Sequence, residues 1–382
     1  MKRRSFITTA TLASAGLSTF LVSSCNPSSK KNEEGIGVVG NFDTGFELNE
    51  ETISSLREKL SSGTYSSEQL VRMYLDRIEA VDKNGAKLNA VIEINPDAIA
   101  LAKAMDLEMK SGKSRGPLHG IPILIKDNID TGDKMQTTAG SLALVGNIAS
   151  NDAFVIKKIR EAGAILIGKT NLSEWANFRS TSSCSGWSSR GGQTKNPYIL
   201  DHNPCGSSAG SGVAVAANLC VVAIGTETDG SVVCPASVSG IVGIKPTVGL
   251  VSRSGIIPIS STQDTAGPMA RTVTDAAILL GAMTGIDKQD LVTLESKGKS
   301  YNDYTAFLDL NALEGKRIGV ERKPQGKNQF MHALQQKTID LLKSKGATII
   351  EIDYLDEISK LGEDEFELMQ YEFKAGLNSY LS

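Results

Sequence analysis

Histidine is nearly absent from this sequence, with three residues in 382, and the five cysteines include no C-x₂-C pair. The ligand spacing of zinc sites is therefore missing, and no metal site is expected. The formal net charge is −3, and no basic stretch is longer than that of the first four residues. Because nucleic-acid surfaces are rich in Lys and Arg, no nucleic-acid partner is predicted.

Aromatic residues are scarce at 5%, and no apolar run is long enough for a stable membrane span. The remaining composition, 40% hydrophobic and 22% charged, is that of a globular protein. Thirty-seven glycines against 11 prolines favour tight turns within an ordered fold. Disordered, collagen-like, coiled-coil and multi-span membrane proteins are excluded.

The first 25 residues have the pattern of an export signal. Lys2-Arg3-Arg4 precedes a short, diluted apolar run, and Val22-Ser-Ser-Cys25 resembles a bacterial lipobox. We expect lipidation at Cys25, with residues 26–47 forming a polar linker. An incidental cysteine in a plain secretory signal is the alternative. The predicted location is the periplasm or cell envelope, with a lipid anchor as the only membrane contact. The twin-arginine pathway is a candidate route of export.

Apolar strands alternate with helical patterns through most of the remaining chain. Ser66 to Gln69 reads as a capping box before a helix, and residues 121–125 and 219–225 read as buried strands. This alternation predicts an α/β fold, with a large mixed sheet flanked by helices on both faces. Further strands are expected at 90–94, 164–168, 318–320 and 348–352, with helices at 48–60, 96–110, 152–162, 210–218 and 328–345.

Three segments carry unusual residues, and each has an ordinary explanation. Lys126 follows a strand and could extend its amine into water; residues 204–212 could form a flexible entry to a helix; residues 225–231 could form a plain loop. Together they describe a site for a nucleophilic serine. Such a serine needs a base and oxyanion donors, which backbone N–H groups in a glycine-containing loop can supply. With so few histidines, a buried and therefore neutral lysine is the candidate base.

The segments GPLHGIPILIKDNID, GSSAGSGVAVAAN and IGTETDGSVVCPASVSGIVGIKPT resemble the amidase-signature family. The resemblance implies the family's fold and a cofactor-independent Ser–cis-Ser–Lys triad that hydrolyses amides through an acyl-enzyme. It assigns Lys126 as base, Ser207 as the bridging serine after a cis peptide bond, and Ser231 as nucleophile. It assigns the oxyanion hole to the backbone N–H groups of Thr228, Asp229, Gly230 and Ser231.

Two residues depart from that pattern. Asp229 stands where many family members have Gly, and Glu227 where they have Asp. Asp229 keeps its backbone donor but restricts the loop conformation. Residues 174–179 and 185–194 are similar to the bacterial peptide amidases, which release ammonia from C-terminally amidated peptides. The expected partner is therefore a small amide or an amidated peptide.

Two other functions remain open. Gly206 to Gly210 also matches G-x-S-x-G, which would make Ser208 the nucleophile of an α/β-hydrolase, although a poor strand precedes it and only His332 follows it. A non-catalytic, amidase-like binding protein is the other alternative.

Two further expectations concern the remaining cysteines and the C-terminal end of the domain. Cys184, Cys205, Cys220 and Cys234 are expected to be free, mostly buried thiols. A disulfide between Cys205 and Cys234, which lie beside the two serine motifs, is the less favoured alternative. The amidase-signature domain is expected to span residues 48–382 and to be truncated at its C-terminus, because the last residues look helical with unburied apolar side chains.

Overall fold

The computed structural model describes residues 45–322 and 328–382, all within one compact unit that spans residues 37–382. The predicted leader and most of the predicted linker lie outside the described residues. Ten strands and ten α-helices alternate along the described part. The strands are β1 Val91–Ile94, β2 Pro122–Lys126, β3 Ile165–Thr170, β4 Trp187–Ser188, β5 Gly192–Gln193, β6 Val222–Glu227, β7 Val242–Gly243, β8 Thr265–Ala270, β9 Arg317–Glu321 and β10 Thr348–Ile352.

Most of the predicted helices begin and end close to their predicted positions, and the helices at 233–238, 273–283 and 355–358 were not predicted. The helices are α1 Ile53–Ser61, α2 Ser67–Arg77, α3 Ala98–Lys110, α4 Phe154–Glu161, α5 Ala209–Ala216, α6 Val233–Val238, α7 Val273–Met283, α8 Gln329–Ser344, α9 Leu355–Ile358 and α10 Gly362–Leu381. The predicted capping box at α2 is present, because the Ser66 and Gln69 side chains each accept the other residue's backbone N–H. Helix α1 begins later than predicted, because Thr52 provides its N-cap.

The main sheet has six strands in the order β1-β3-β2-β6-β8-β7. Strands β3, β2 and β6 are parallel, and antiparallel neighbours flank them. The central strands are buried along their whole length, which explains their continuous apolar sequences. The predicted large mixed sheet is confirmed. Separate two-stranded sheets pair β9 with β10 and β4 with β5.

Helix α5 lies against the central strands because its residues are small. A Cβ atom at Gly210 would lie 2.3 Å from the Ala90 carbonyl oxygen and 2.5 Å from that of Asn171. Glycine therefore allows the N-terminal turn of α5 to approach the backbone beside β1 and β3. This packing places the segment before α5 next to the C-terminal ends of β2 and β6.

Candidate active site

The parallel strands β2 and β6 are neighbours, and their C-terminal ends bring two of the three predicted segments together at the same end of the sheet. Lys126 is the last residue of β2, fully buried, and Thr226 lies near the end of neighbouring β6. Lys126 Nζ lies 2.8 Å from Ser207 Oγ, 2.8 Å from Thr226 Oγ1 and 3.1 Å from the Thr226 carbonyl oxygen. Three oxygens thus surround the amine, and none of them is a carboxylate.

Burial decides the charge of this lysine. Removal from water disfavours the ammonium form and lowers the pKa of Lys126 to about 7, against an opposing effect of the Asp264 and Glu227 carboxylates. A neutral amine has two N–H groups and one lone pair. The two Thr226 oxygens can accept the N–H groups, which leaves the lone pair for the Ser207 hydroxyl. This arrangement suits a base that takes a proton from Ser207.

The peptide bond between Gly206 and Ser207 is cis, as the resemblance implies. Ser207 is buried, and its carbonyl oxygen accepts the Ser173 N–H at 3.0 Å. The next residue, Ser208, donates its backbone N–H to the Ser231 carbonyl oxygen at 3.1 Å. The segment that carries Ser207 and the loop that carries Ser231 are therefore hydrogen-bonded neighbours.

Ser231 differs from the other two serines. It is 7% exposed, and its hydroxyl has no hydrogen-bond partner among the residues that the structure describes. The Ser208 hydroxyl, in contrast, donates to the Thr226 carbonyl oxygen at 3.0 Å and accepts the Thr226 N–H at 3.1 Å. Ser208 is thus occupied in holding α5 to β6, which argues against the hydrolase alternative. Ser231 has the free hydroxyl that a nucleophile requires.

Glu227 shapes the loop that precedes Ser231. Its buried carboxylate accepts the backbone N–H groups of Gly230 at 3.0 Å, Val232 at 2.6 Å and Val233 at 2.9 Å. Gly230 has a φ of 80°, a conformation that glycine adopts without strain. Gly230, one of the four predicted oxyanion donors, is thus already hydrogen-bonded to Glu227. The N–H groups of residues 228, 229 and 231 make no such contact with Glu227.

A disulfide joins the two loops, which corrects the expectation of free thiols. Cys205, two residues before Ser207, pairs with Cys234, three residues after Ser231, with their Cα atoms 6.0 Å apart. The fold brings together cysteines that are 29 residues apart in sequence, because each lies beside one of the two serine segments, which was the less favoured alternative. Cys184 and Cys220 remain free.

A cavity of about 360 Å³ lies against this cluster. Its lining includes Ser207, Thr226, Asn128 and Thr228, together with residues of the segment 253–261 and of helix α10. Thr226 and Asn128 stand inside motifs visible in the sequence, yet no role was assigned to them. In the described ranges, no group of three or more His, Cys, Asp or Glu side chains is arranged to hold a metal ion.

The family model for Amidase matches residues 69–380. The chain belongs to the amidase family. It is 45% identical over 343 residues to a probable amidase of Arabidopsis thaliana, covering 88% of this chain and 65% of that protein. It is 42% identical over 352 residues to a putative amidase of Schizosaccharomyces pombe, covering 88% and 60%. The chain thus spans less than two thirds of the length of either relative.

A solved structure of this family has the same fold. The native peptide amidase from Stenotrophomonas maltophilia superposes with a TM-score of 0.84 at 52% identity, covering 88% of this chain and 68% of that one. The resemblance to the amidase-signature family and the fold class inferred from it are both confirmed.

The predicted localisation, an exported lipoprotein, is contradicted by these comparisons. The relatives are amidases of a plant and a fungus, and their names describe no envelope lipoprotein. The lipid anchor at Cys25 is likewise unsupported, and Cys25 lies outside the described residues. The prediction rested only on a basic start and a short apolar run followed by a cysteine, and chains with other locations can contain the same pattern. Across residues 45–322 and 328–382, no helix has the length and apolar character needed to cross a bilayer.

Proposed function

We propose that this protein hydrolyses linear amides, in particular the C-terminal amides of peptides, and releases ammonia. The observation that carries the proposal is the fully buried Lys126 amine within 2.8 Å of the Ser207 hydroxyl. A second support is the 52% identity to a structure that is named a peptide amidase.

In the proposed acylation, Ser231 Oγ attacks the carbonyl carbon of the amide. The Ser231 proton passes to Ser207 Oγ while the Ser207 proton passes to Lys126 Nζ, so that the lysine ends as an ammonium. The backbone N–H groups of the 228–231 loop stabilise the negative charge on the carbonyl oxygen. The fourth predicted donor, Gly230, would have to leave Glu227 to take part.

Collapse of the tetrahedral intermediate reverses the proton path. Lys126 returns a proton to Ser207, Ser207 protonates the departing nitrogen, and the C–N bond breaks to release ammonia. Water then attacks the ester on Ser231, with Lys126 again accepting the proton through Ser207. The acid product leaves with Ser231 restored, and atoms and protons balance over the cycle.

The test measures ammonia release from a C-terminally amidated dipeptide by the full chain. Wild type should release ammonia, and Ser231→Ala should lower turnover by about a thousand-fold or more, because no other group forms the acyl-enzyme. Ser344→Ala, an exposed serine at the end of α8, is the matched control and should keep wild-type turnover. A wild-type chain without activity would support the non-catalytic alternative, and an active Ser231→Ala variant would refute the assignment of the nucleophile.

A further inference from the structure

Asn128 lies two residues after Lys126 and is only 3% exposed, yet it lines the cavity that Ser207 and Thr226 also line. Its Nδ2 group donates to Thr226 Oγ1 at 3.0 Å, the same hydroxyl oxygen that lies 2.8 Å from Lys126 Nζ. This contact fixes the plane of the side-chain amide. It also connects Asn128 to the base by one shared oxygen.

The other end of the Asn128 amide has no partner. Its Oδ1 atom is buried and accepts no hydrogen bond from any residue that the structure describes. Buried acceptors are satisfied in most proteins, because leaving one unpaired costs free energy. An unpaired carbonyl oxygen on a residue that lines a cavity is therefore suited to a ligand that brings its own N–H group.

The neighbouring groups indicate which N–H group this is. The nitrogen that leaves during hydrolysis must lie beside Ser207, because Ser207 returns the proton to it. Asn128 shares Thr226 Oγ1 with Lys126 Nζ, which lies 2.8 Å from Ser207 Oγ, so Asn128 stands beside the proton path in the cavity that Thr228 also lines. A primary amide nitrogen carries two hydrogens and accepts the returning proton through its lone pair. One of those hydrogens can be donated to an acceptor throughout the reaction.

We propose that Asn128 Oδ1 accepts a hydrogen bond from the nitrogen of the scissile primary amide and so orients the leaving group toward Ser207. This inference rests on the proposed function and deepens it. It makes Asn128 a determinant of leaving-group specificity. An ester with the same acyl group has no hydrogen on its leaving oxygen, so Asn128 favours amides over esters.

The experiment compares two substrates of the full chain, an amidated dipeptide and the methyl ester of the same dipeptide. Both form the same acyl-enzyme, so the ratio of their kcat/KM values reports the leaving-group contacts alone. Asn128→Ala should lower kcat/KM for the amide about ten-fold relative to the ester. A purely structural loss, through Thr226 and Lys126, would lower both values together and leave the ratio unchanged.

Two more variants control for folding. Asn128→Asp keeps an acceptor at this position, so the amide-to-ester ratio should stay near that of wild type even as the added charge moves the pH profile. Asn95→Ala removes another buried asparagine, one that donates to the Leu166 carbonyl oxygen at 2.8 Å, and should not change the ratio.

Each outcome has a distinct meaning. An unchanged ratio in Asn128→Ala, or a ratio lost in Asn128→Asp, would overturn the role of Asn128 while leaving the amidase activity in place. If Asn128→Ala does not fold, the near-isosteric Asn128→Leu, which also lacks the acceptor, takes its place and should show the same loss of the ratio. A wild-type chain that hydrolyses neither substrate would overturn the proposed function, and the role of Asn128 with it.

Discussion

At the scale of single residues, the charge of Lys126 controls the proposed chemistry. Its amine is fully buried among hydroxyl and carbonyl oxygens, and this burial lowers its pKa to about 7. An unperturbed lysine has a pKa of about 10.4 and would be almost entirely protonated at neutral pH. The fold thus turns an ordinary cation into a base that is half neutral near pH 7.

The pH dependence of kcat/KM follows from this shift. Protonated Lys126 cannot accept the Ser207 proton, so log kcat/KM should rise with unit slope below pH 7 and reach a plateau above about pH 8. Lys126→Arg should be inactive at every pH, because arginine stays protonated. A profile that keeps rising to pH 10, or an active Arg variant, would exclude a neutral lysine base.

A carboxylate variant is a control for this prediction. Asp264 and Glu227 both raise the pKa of Lys126 against the effect of burial. Asp264→Asn removes one of these charges and should move the midpoint of the profile to lower pH. Unfolding alone would lower the activity without moving this midpoint.

The free energy of unfolding should also depend on pH through Lys126. Between about pH 7 and 10.4 the unfolded chain binds a proton that native Lys126 does not, so this group's contribution to the free energy of unfolding rises with pH.

The limits of sequence reasoning also show at single residues. Lys126, Ser207 and Ser231 could be assigned because a whole motif surrounds each of them. Thr226 and Asn128 could not, since their roles depend on which atoms meet after β2 pairs with β6. The engagement of Gly230 by Glu227 is likewise a matter of loop conformation. The sequence shows that donors exist in the loop, and not which of them are free.

At the scale of elements, the strands with continuous apolar sequence were predicted and β8 was not. Its sequence, Thr265-Ala-Gly-Pro-Met-Ala270, contains two residues that usually interrupt strands. Gly267 is nonetheless required there, because a Cβ atom would lie 2.2 Å from the Ile244 carbonyl oxygen. The pairing of β8 with β6 compensates for these residues, and pairing between distant segments is not visible in a local pattern.

The disulfide connects two such elements, the entry to α5 and the first turn of α6. Breaking it with Cys234→Ser should lower the free energy of unfolding by about 3 kcal/mol, since the bond closes a 29-residue loop. Amide turnover should also fall, because Ser207 and Ser231 lie on the two joined segments. Denaturant unfolding and ammonia release measure the two effects.

Cys184→Ser, which removes an exposed free thiol, is the matched control and should change neither quantity. Equal stability of the wild type and Cys234→Ser would show that the bond does not constrain these loops. Four reactive thiols among residues 184–234 in the denatured, unreduced protein would show that it does not form.

At the scale of the whole molecule, the site depends on segments far apart in the chain. The three proposed catalytic residues lie before residue 232, yet helix α10 contributes Gly376 and Ser379 to the cavity. Tyr380 Oη donates to Asp130 at 2.7 Å, and Glu372 accepts the Ser261 hydroxyl at 2.7 Å. These contacts hold α10 against the site from outside the catalytic motifs. The motifs that predicted the site all lie in the central segments, and no motif pointed to α10 as part of the cavity.

The most direct test of the central claim is the position of a covalent label. A serine-reactive fluorophosphonate should modify the folded full chain once, and peptide mapping by mass spectrometry should place the adduct on Ser231. The heat-unfolded chain should remain unlabelled, because only the fold brings Lys126 and Ser207 to within 2.8 Å of each other beside the Ser231 loop. An adduct on Ser207 or Ser208, or equal labelling of the folded and unfolded chains, would contradict the account.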